Sequence, residues 1–297
     1  MCGIVGLLLK KPQLREQLGQ LALPMLIGMT ERGPDSAGLA VFTEELNGAQ
    51  RKYSIYAPEW EYDWTDFETD FVARFGSAAM AIKGNHAVLT CSAPADKVRP
   101  WVKQAYPQLH VLAAGRQMDI YKDVGRPVDV AGRYEFGKLT GSHLVAHTRM
   151  ATESAVTPDR AHPFTAGEDF CLVHNGSLSN PYQIRRRLEP LGIAFDTDND
   201  TEAACRYFEW RMREGDDLEA AIHTGFEELD GFYTFLMGTA DELALVRDAF
   251  ACKPAVVAET DDYVAISSEF RSLAKLPDIK HATIFEPVPE EIYVWRA

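Results

Sequence analysis

The second residue of this 297-residue chain is a cysteine, followed by the small, apolar run Gly3-Ile4-Val5-Gly6-Leu7-Leu8-Leu9. Only Met1 precedes it, and a side chain as small as that of Cys2 usually permits methionine removal. Removal leaves a thiol and a free α-amino group on one residue. That pairs a nucleophile with a base whose reference pKa is about 7.7–8.0. The apolar run reads as a buried strand that fixes the terminus. Taken alone, Cys2 reads equally well as a small core residue near an ordinary N-terminus.

Three later segments hold residue types that suit the same chemistry. His147-Thr148-Arg149-Met150-Ala151-Thr152 follows a short apolar run, and the planar fork of Arg149 matches a carboxylate. Val173-His174-Asn175-Gly176 also stands at the end of an apolar run. There the Asn175 amide and the Gly176 backbone N–H can give two donors to one oxyanion, and glycine permits close approach. Asp198-Asn199-Asp200-Thr201-Glu202 leads into a helical pattern. Each has a plainer reading: a surface ion pair for Arg149, a turn for Asn175-Gly176, and a helix N-cap for Asp200 or Thr201.

The elements that would position these residues are mixed. Leu14, Leu18, Leu21 and Met25 recur at helical spacing, with Pro24 expected to kink or restart the helix. Strands are expected at 36–42, 110–114, 144–147, 170–174, 232–238 and 243–247, and a last one within 287–295. Helices are expected around Ile184, Leu188 and Leu191, with Arg185-Arg186-Arg187 as a solvated face, and over 201–213. Many strands with few helices between them suggest antiparallel sheets covered by helices. Residues 47–140 are the least readable. Glu59-Trp60-Glu61-Tyr62-Asp63-Trp64 alternates as a half-wet strand would, and Phe67, Phe71 and Phe75 follow at four-residue spacing. This acidic, aromatic stretch could dock a partner or form a small local core.

Composition excludes several classes. With 46% hydrophobic residues the chain can bury a large core. A net charge of -14, from 44 acids against 30 bases, speaks against a broad nucleic-acid surface. No apolar run approaches the roughly 20 residues that span a bilayer, and no basic leader precedes the first apolar stretch. Five widely spaced cysteines without a C-x-x-C pair suggest reduced thiols in the cytoplasm and no metal site.

Together, Cys2-Gly3-Ile4-Val5-Gly6, Arg32-Gly33-Pro34-Asp35-Ser36-Ala37-Gly38, His147–Thr152, His174-Asn175-Gly176 and Asp200-Thr201-Glu202 resemble the class II glutamine amidotransferase domain. The likeness extends to Arg247-Asp248…Pro254 and Ser267-Ser268-Glu269 and covers nearly everything outside 47–140. It implies an α+β fold, the αββα sandwich of N-terminal nucleophile hydrolases, as one domain over 1–297 with an insertion at about 47–140. It also implies Cys2 as nucleophile and its own α-amine as base, with Asn175 and Gly176 as the oxyanion hole. Arg149 would hold the glutamine carboxylate, Asp200 the ammonium, and Thr152 would lie near the carboxylate. Met150 and Glu153 stand where several relatives carry Trp and His.

No phosphoribosyl, sugar-isomerase or ATP-pyrophosphatase segment is visible, so an ammonia-consuming synthase is expected as a separate chain in a hetero-oligomer. The wording of the motifs is most like the separate amidotransferase subunit of glutamate-synthase-type complexes, such as N-methylglutamate synthase. No cofactor is expected in this chain, and flavin and iron–sulfur groups would sit on the partner subunits. A catalytically silent subunit and a stand-alone N-terminal-cysteine amide hydrolase are the alternatives.

Overall fold

The strand Gly3–Leu9 is buried at every residue, as its unbroken apolar run requires, and sits in the middle of a seven-stranded antiparallel sheet. A computed structural model describes residues 2–150 and 157–297. In it Gly3–Leu9 pairs on one side with Tyr263–Ser267 and on the other with His143–Arg149, with Gly3 opposite Thr148. Ser36–Phe42 and Met118–Val124 extend the sheet beyond His143–Arg149.

A second sheet of five antiparallel strands is built around Phe170–Leu178 and Gly231–Gly238, with Asn175 opposite Thr234 and Gly176 opposite Tyr233. Side-chain alternation assigns the layers. Ile4, Leu8, Val145, Val173 and Leu236 meet in one apolar layer between the sheets. Val5, Leu7 and Leu144 face away, onto Leu18, Met25 and Leu26 of the helix Leu18–Gly28. On the far side, Leu172, Phe235 and Val246 pack under the helices Pro181–Leu188, Asp200–Arg213 and Leu218–Glu228. The layers are therefore helix, sheet, sheet, helix, as the α+β expectation has it.

Of the 47–140 stretch, residues 51–115 form a separate four-stranded sheet with the helices Thr65–Phe75 and Ala95–Ala105. Its own core joins Tyr53, Phe67, Phe71, Val98 and Val102. Met118–Val124, by contrast, belongs to the seven-stranded sheet. The expected strand over 59–64 is a turn instead. Asp63 accepts the Thr65 amide at 3.0 Å, and Trp64 folds in edge-on against Phe67. The alternation there reflects rings tucked beneath a helix start, and there is no pleat.

Pro24 lies inside the Leu18–Gly28 helix without ending it; a 3-10 turn at Pro12–Gln17 precedes that helix. Burial of Leu18, Ala22, Met25 and Leu26 on the sheet outweighs the one backbone bond that proline removes.

Gly38 shows how tightly the sheet is packed near Arg149. A Cβ there would lie 2.3 Å from the His162 carbonyl and 2.5 Å from Lys122 Cβ. Gly38→Ala should therefore cost about 1–3 kcal/mol and lower the melting temperature by several degrees. Gly132→Ala, in the helix Pro127–Arg133 with nothing within 4 Å, should leave it unchanged or slightly raised. Thermal denaturation of the two variants checks the contrast.

Candidate active site

The alternation that builds the inter-sheet core also points the reactive residues at one another. Cys2 continues the Ile4 and Leu8 face, Arg149 continues the Val145 and His147 face, and Asn175 continues the Val173 face. All three sit at the same edge of the sandwich. Cys2 is half-buried, and its carbonyl accepts from Arg32 Nε at 3.0 Å and from Asn175 Nδ2 at 3.3 Å. Arg32 is held in turn by Glu269 at 3.2 Å. Ser268 fixes the next residue: its hydroxyl accepts the Ile4 amide at 2.9 Å, and its own amide donates to the Ile4 carbonyl at 3.1 Å. The Arg32 and Ser267-Ser268-Glu269 segments thus lock the position of the thiol.

Asn175 and Gly176 lie inside the strand Phe170–Leu178, so the turn reading of this pair fails. Gly176 has φ +145°, and a Cβ there would stand 2.0 Å from the Phe232 carbonyl and 2.8 Å from Tyr233 Cα. Glycine is required by this cross-strand approach. Arg149 is buried, which excludes the surface-pair reading, and its Nη1 donates to the Arg160 carbonyl at 3.5 Å. Thr152 lies outside the described residues, as does Glu153.

Asp200 opens the helix Asp200–Arg213 but does not cap it. Asn199 does so, its side chain accepting the Thr201 amide at 2.8 Å. The Asp200 carboxylate accepts the Leu178 amide at 3.0 Å and lies 3.8 Å from His174 Nδ1. Burial pushes this carboxyl up, but His174 and the Leu178 and Thr201 amides outweigh it and hold it down at about 2. It is an anion throughout the neutral range. The loop before it is pinned twice: Glu202 accepts the Asp196 and Thr197 amides at 2.8 and 2.7 Å, and Arg185 donates to the Thr197 and Asn199 carbonyls at 2.8 and 2.6 Å. Arg185 is buried over Phe195, so only Arg186 and Arg187 form the solvated face expected of that run.

Reasoning from sequence missed a buried histidine cluster beneath the site. His147 Nε2 donates to the His174 carbonyl at 3.1 Å and stacks on His162 at 4.1 Å. The His174 amide donates to His162 Nδ1 at 3.3 Å, which fixes His162 as the Nε2–H tautomer facing Thr201 Oγ1 at 3.2 Å. The same hydroxyl lies 3.2 Å from His174 Nδ1. Both backbone groups of the residue before Asn175 are therefore clamped by imidazoles. In the sequence His162-Pro163-Phe164 signals only packing and a turn. The loop carrying it is held by Lys122, whose fully buried Nζ donates to the Ala161 and Pro163 carbonyls at 2.8 and 3.2 Å. Burial pushes this ammonium down to about 8. Among the described residues, no group of His, Cys, Asp and Glu is arranged to hold a metal ion.

A family model described as a glutamine amidotransferase domain matches residues 147–275. The chain is 50% identical over 297 residues to the glutamine amidotransferase-like protein GlxB of Rhizobium meliloti, covering 99% of this chain and 98% of that protein. It is 30% identical over 161 residues to a glutamine–fructose-6-phosphate aminotransferase of Methanothermobacter thermautotrophicus, covering 54% of this chain and 27% of that one. The solved glutamine phosphoribosylpyrophosphate amidotransferase from B. subtilis shares the fold. Its TM-score is 0.63 at 20% identity, over 99% of this chain and 47% of that chain.

The buried imidazoles make this fold acid-sensitive. Burial pushes His86 and His147 down to about 3, His143 to about 4, and His162 well below its ordinary value. Below about pH 6.5 the unfolded chain binds protons that the folded chain refuses, so stability rises with pH there and is lost as pH falls. Each such histidine contributes a slope of about 1.4 kcal/mol per pH unit below that point. Urea midpoints should fall only slightly from pH 8 to 7, where Lys122 takes up its proton, and steeply between pH 6.5 and 5. A flat profile across that range would contradict the neutral, buried assignment.

Proposed function

The chain belongs to the class II glutamine amidotransferase family, and on that premise we propose that it hydrolyses L-glutamine to glutamate and ammonia through a thioester on Cys2. The observation that carries this reading is the double hold on the Cys2 carbonyl by Arg32 and Asn175, with Arg149 on the neighbouring strand. With Met1 removed, the Cys2 α-amine takes the thiol proton and the sulfur attacks the side-chain amide carbon. The oxyanion is met by Asn175 Nδ2 and the Gly176 amide. The amine then returns its proton to the leaving nitrogen, ammonia departs, and water cleaves the thioester to glutamate. Arg149 holds the substrate carboxylate and Asp200 its ammonium, so the zwitterion is gripped at both charges. Thr152 would complete the carboxylate end.

Free ammonia is lost to water, so the product is delivered to a synthase of the glutamate-synthase type on another chain, in a hetero-oligomer. Any flavin or iron–sulfur group would be carried by that partner. The setting is cytoplasmic, where the exposed Cys252 thiol stays reduced. Among the described residues, no helix is long and apolar enough to cross a membrane.

Intact mass before and after 6-diazo-5-oxo-norleucine tests the reading. The expected result is a chain lacking methionine that gains one adduct, mapped to Cys2. A retained methionine with no adduct, alone and with its partner, would favour the silent-subunit alternative.

Kinetics separate the roles. Arg149→Ala should raise KM for glutamine on the order of 10- to 100-fold. Asn175→Ala should leave KM near its starting value and lower kcat about 10²–10³-fold. Wild-type kinetics in both variants would remove these assignments.

A further inference from the structure

A concavity that includes none of Cys2, Arg149, Asn175 or Asp200 in its lining opens beside Glu31. It is a cleft of about 500 Å³ between the C-terminal end of the Leu18–Gly28 helix, the start of the Pro127–Arg133 helix and the Phe270–Leu273 helix. Its size suits a small molecule. In a chain of net charge -14, three cations meet on its walls: Arg126, Arg271 and Lys275. Only Arg271 is ion-paired there, to Glu31 at 3.1 Å and to Glu269 at 2.6 Å. Among the described residues, Arg126 and Lys275 have no ion-pair partner. Ile27 and Val128, each more than a third exposed, add an apolar wall.

Like charges gathered in a concavity repel one another unless an anion joins them. The Glu31 carboxylate occupies part of the Arg271 fork, but its side chain is 82% exposed, so it is easily displaced. Glu269 is different. It joins Arg271 to Arg32 at 3.2 Å, and Arg32 donates to the Cys2 carbonyl at 3.0 Å. Arg32 is 9% exposed and Glu269 25%, so solvent screens the Glu269–Arg32 half of this link far less than the Glu31 pair, while Arg271 itself is 52% exposed. A charge set down on Arg271 is therefore two side chains from the backbone of Cys2.

We propose that this cleft binds a small anion with two acidic groups on a short skeleton, a polycarboxylate or a diphosphate, and that its occupancy is felt at Cys2. One acidic group takes the Arg271 fork in place of Glu31, and the second lies between Arg126 and Lys275. The ligand then competes with Glu269 for Arg271. Glu269 turns more fully to Arg32, which alters the hold on the Cys2 carbonyl. The binding half of this inference is independent of the glutaminase reading, and so is its readout at the thiol.

Titration calorimetry of the full chain with citrate and, separately, with pyrophosphate tests the binding. The two arms distinguish a polycarboxylate site from a phosphoryl site. At least one probe should bind saturably to one site, at least tenfold more weakly to the Arg126→Glu/Lys275→Glu double variant and more tightly to Glu31→Gln. Both changed positions of the double variant are exposed, and its melting curve checks that it is folded. No saturable heat with either probe, or equal binding by the double variant, overturns the site. The rate of Cys2 alkylation by iodoacetamide, followed on the Cys2 peptide, should change at least twofold on saturation of the wild type and not in the double variant. An unchanged rate in the saturated wild type overturns the coupling. Labelling by 6-diazo-5-oxo-norleucine is a separate measurement, so failure of the glutaminase reading is seen independently.

Discussion

A cysteine on the second residue, proposed as the nucleophile, has to be held at a place where chains ordinarily fray. That constraint governs the rest of the structure. The strand carrying it is central in its sheet and paired on both sides, and Ser268 takes both backbone groups of Ile4. What the strand cannot hold is the carbonyl of Cys2 itself, and Arg32 and Asn175 come from two different elements to do so. Close packing follows from this. Gly33 lies against the backbone of Thr148 and Arg149, where a Cβ would be 2.4 Å from the Thr148 carbonyl carbon. Arg32 reaches Cys2 because the next residue has no side chain.

The second requirement is rigidity without charge. In the proposed reaction Asn175 presents its amide at a fixed place, between His174 and Gly176 and opposite Thr234. The clamp on His174, from His147 and His162, supplies that rigidity with neutral imidazoles, because burial keeps them unprotonated. Lys122 is the exception, a buried ammonium offset by backbone carbonyls in place of a carboxylate. It stands on Met118–Val124, the strand through which the chain returns from the inserted sheet. Asp169 secures the start of that return by accepting the Arg116, Gln117 and Met118 amides at 2.7–2.9 Å. Asp169 thus ties the connection out of the inserted sheet to the start of Phe170–Leu178, and Lys122 ties the strand that follows to the loop beneath the site.

The sequence was most legible where one face is apolar and the other is not. The buried strands from Gly3, Ser36, Phe170 and Glu242 and the helix from Asp200 could be read from their runs and spacing. Ala79–Lys83 could not, because it is an edge strand exposed along most of its length and carries no inside–outside pattern. The residues proposed to react were legible as types in an order, since a thiol, a guanidinium, an amide and a carboxylate each have a narrow chemistry. The residues that position them were not. Arg185 looked like one of three surface arginines, and His162 like a turn residue. Nothing local separates a buried arginine bonded to carbonyls 12 and 14 residues away from its exposed neighbours. The plainer N-cap reading of Asp200 fails because Asn199 accepts the Thr201 amide, while the Asp200 carboxylate turns to the Leu178 amide and His174.

The strand Phe170–Leu178 explains why these requirements meet in His174-Asn175-Gly176. In a pleated strand, consecutive side chains face opposite layers. Asn175 therefore faces the thiol between the sheets, while His174 faces Thr201 and Asp200 in the helix layer. One short segment spans the sandwich from Cys2 to the Asp200 carboxylate, and a single fixed register sets the distance between them. A turn at this position would have freed the amide of Gly176 but lost that alternation. Gly176 keeps the strand going while opening it, because its φ of +145° lets the backbone pass against Tyr233 without a side chain between them. The places of Asn175 and Gly176 are therefore a property of strand pairing, and their geometry is as stable as the sheet that contains them.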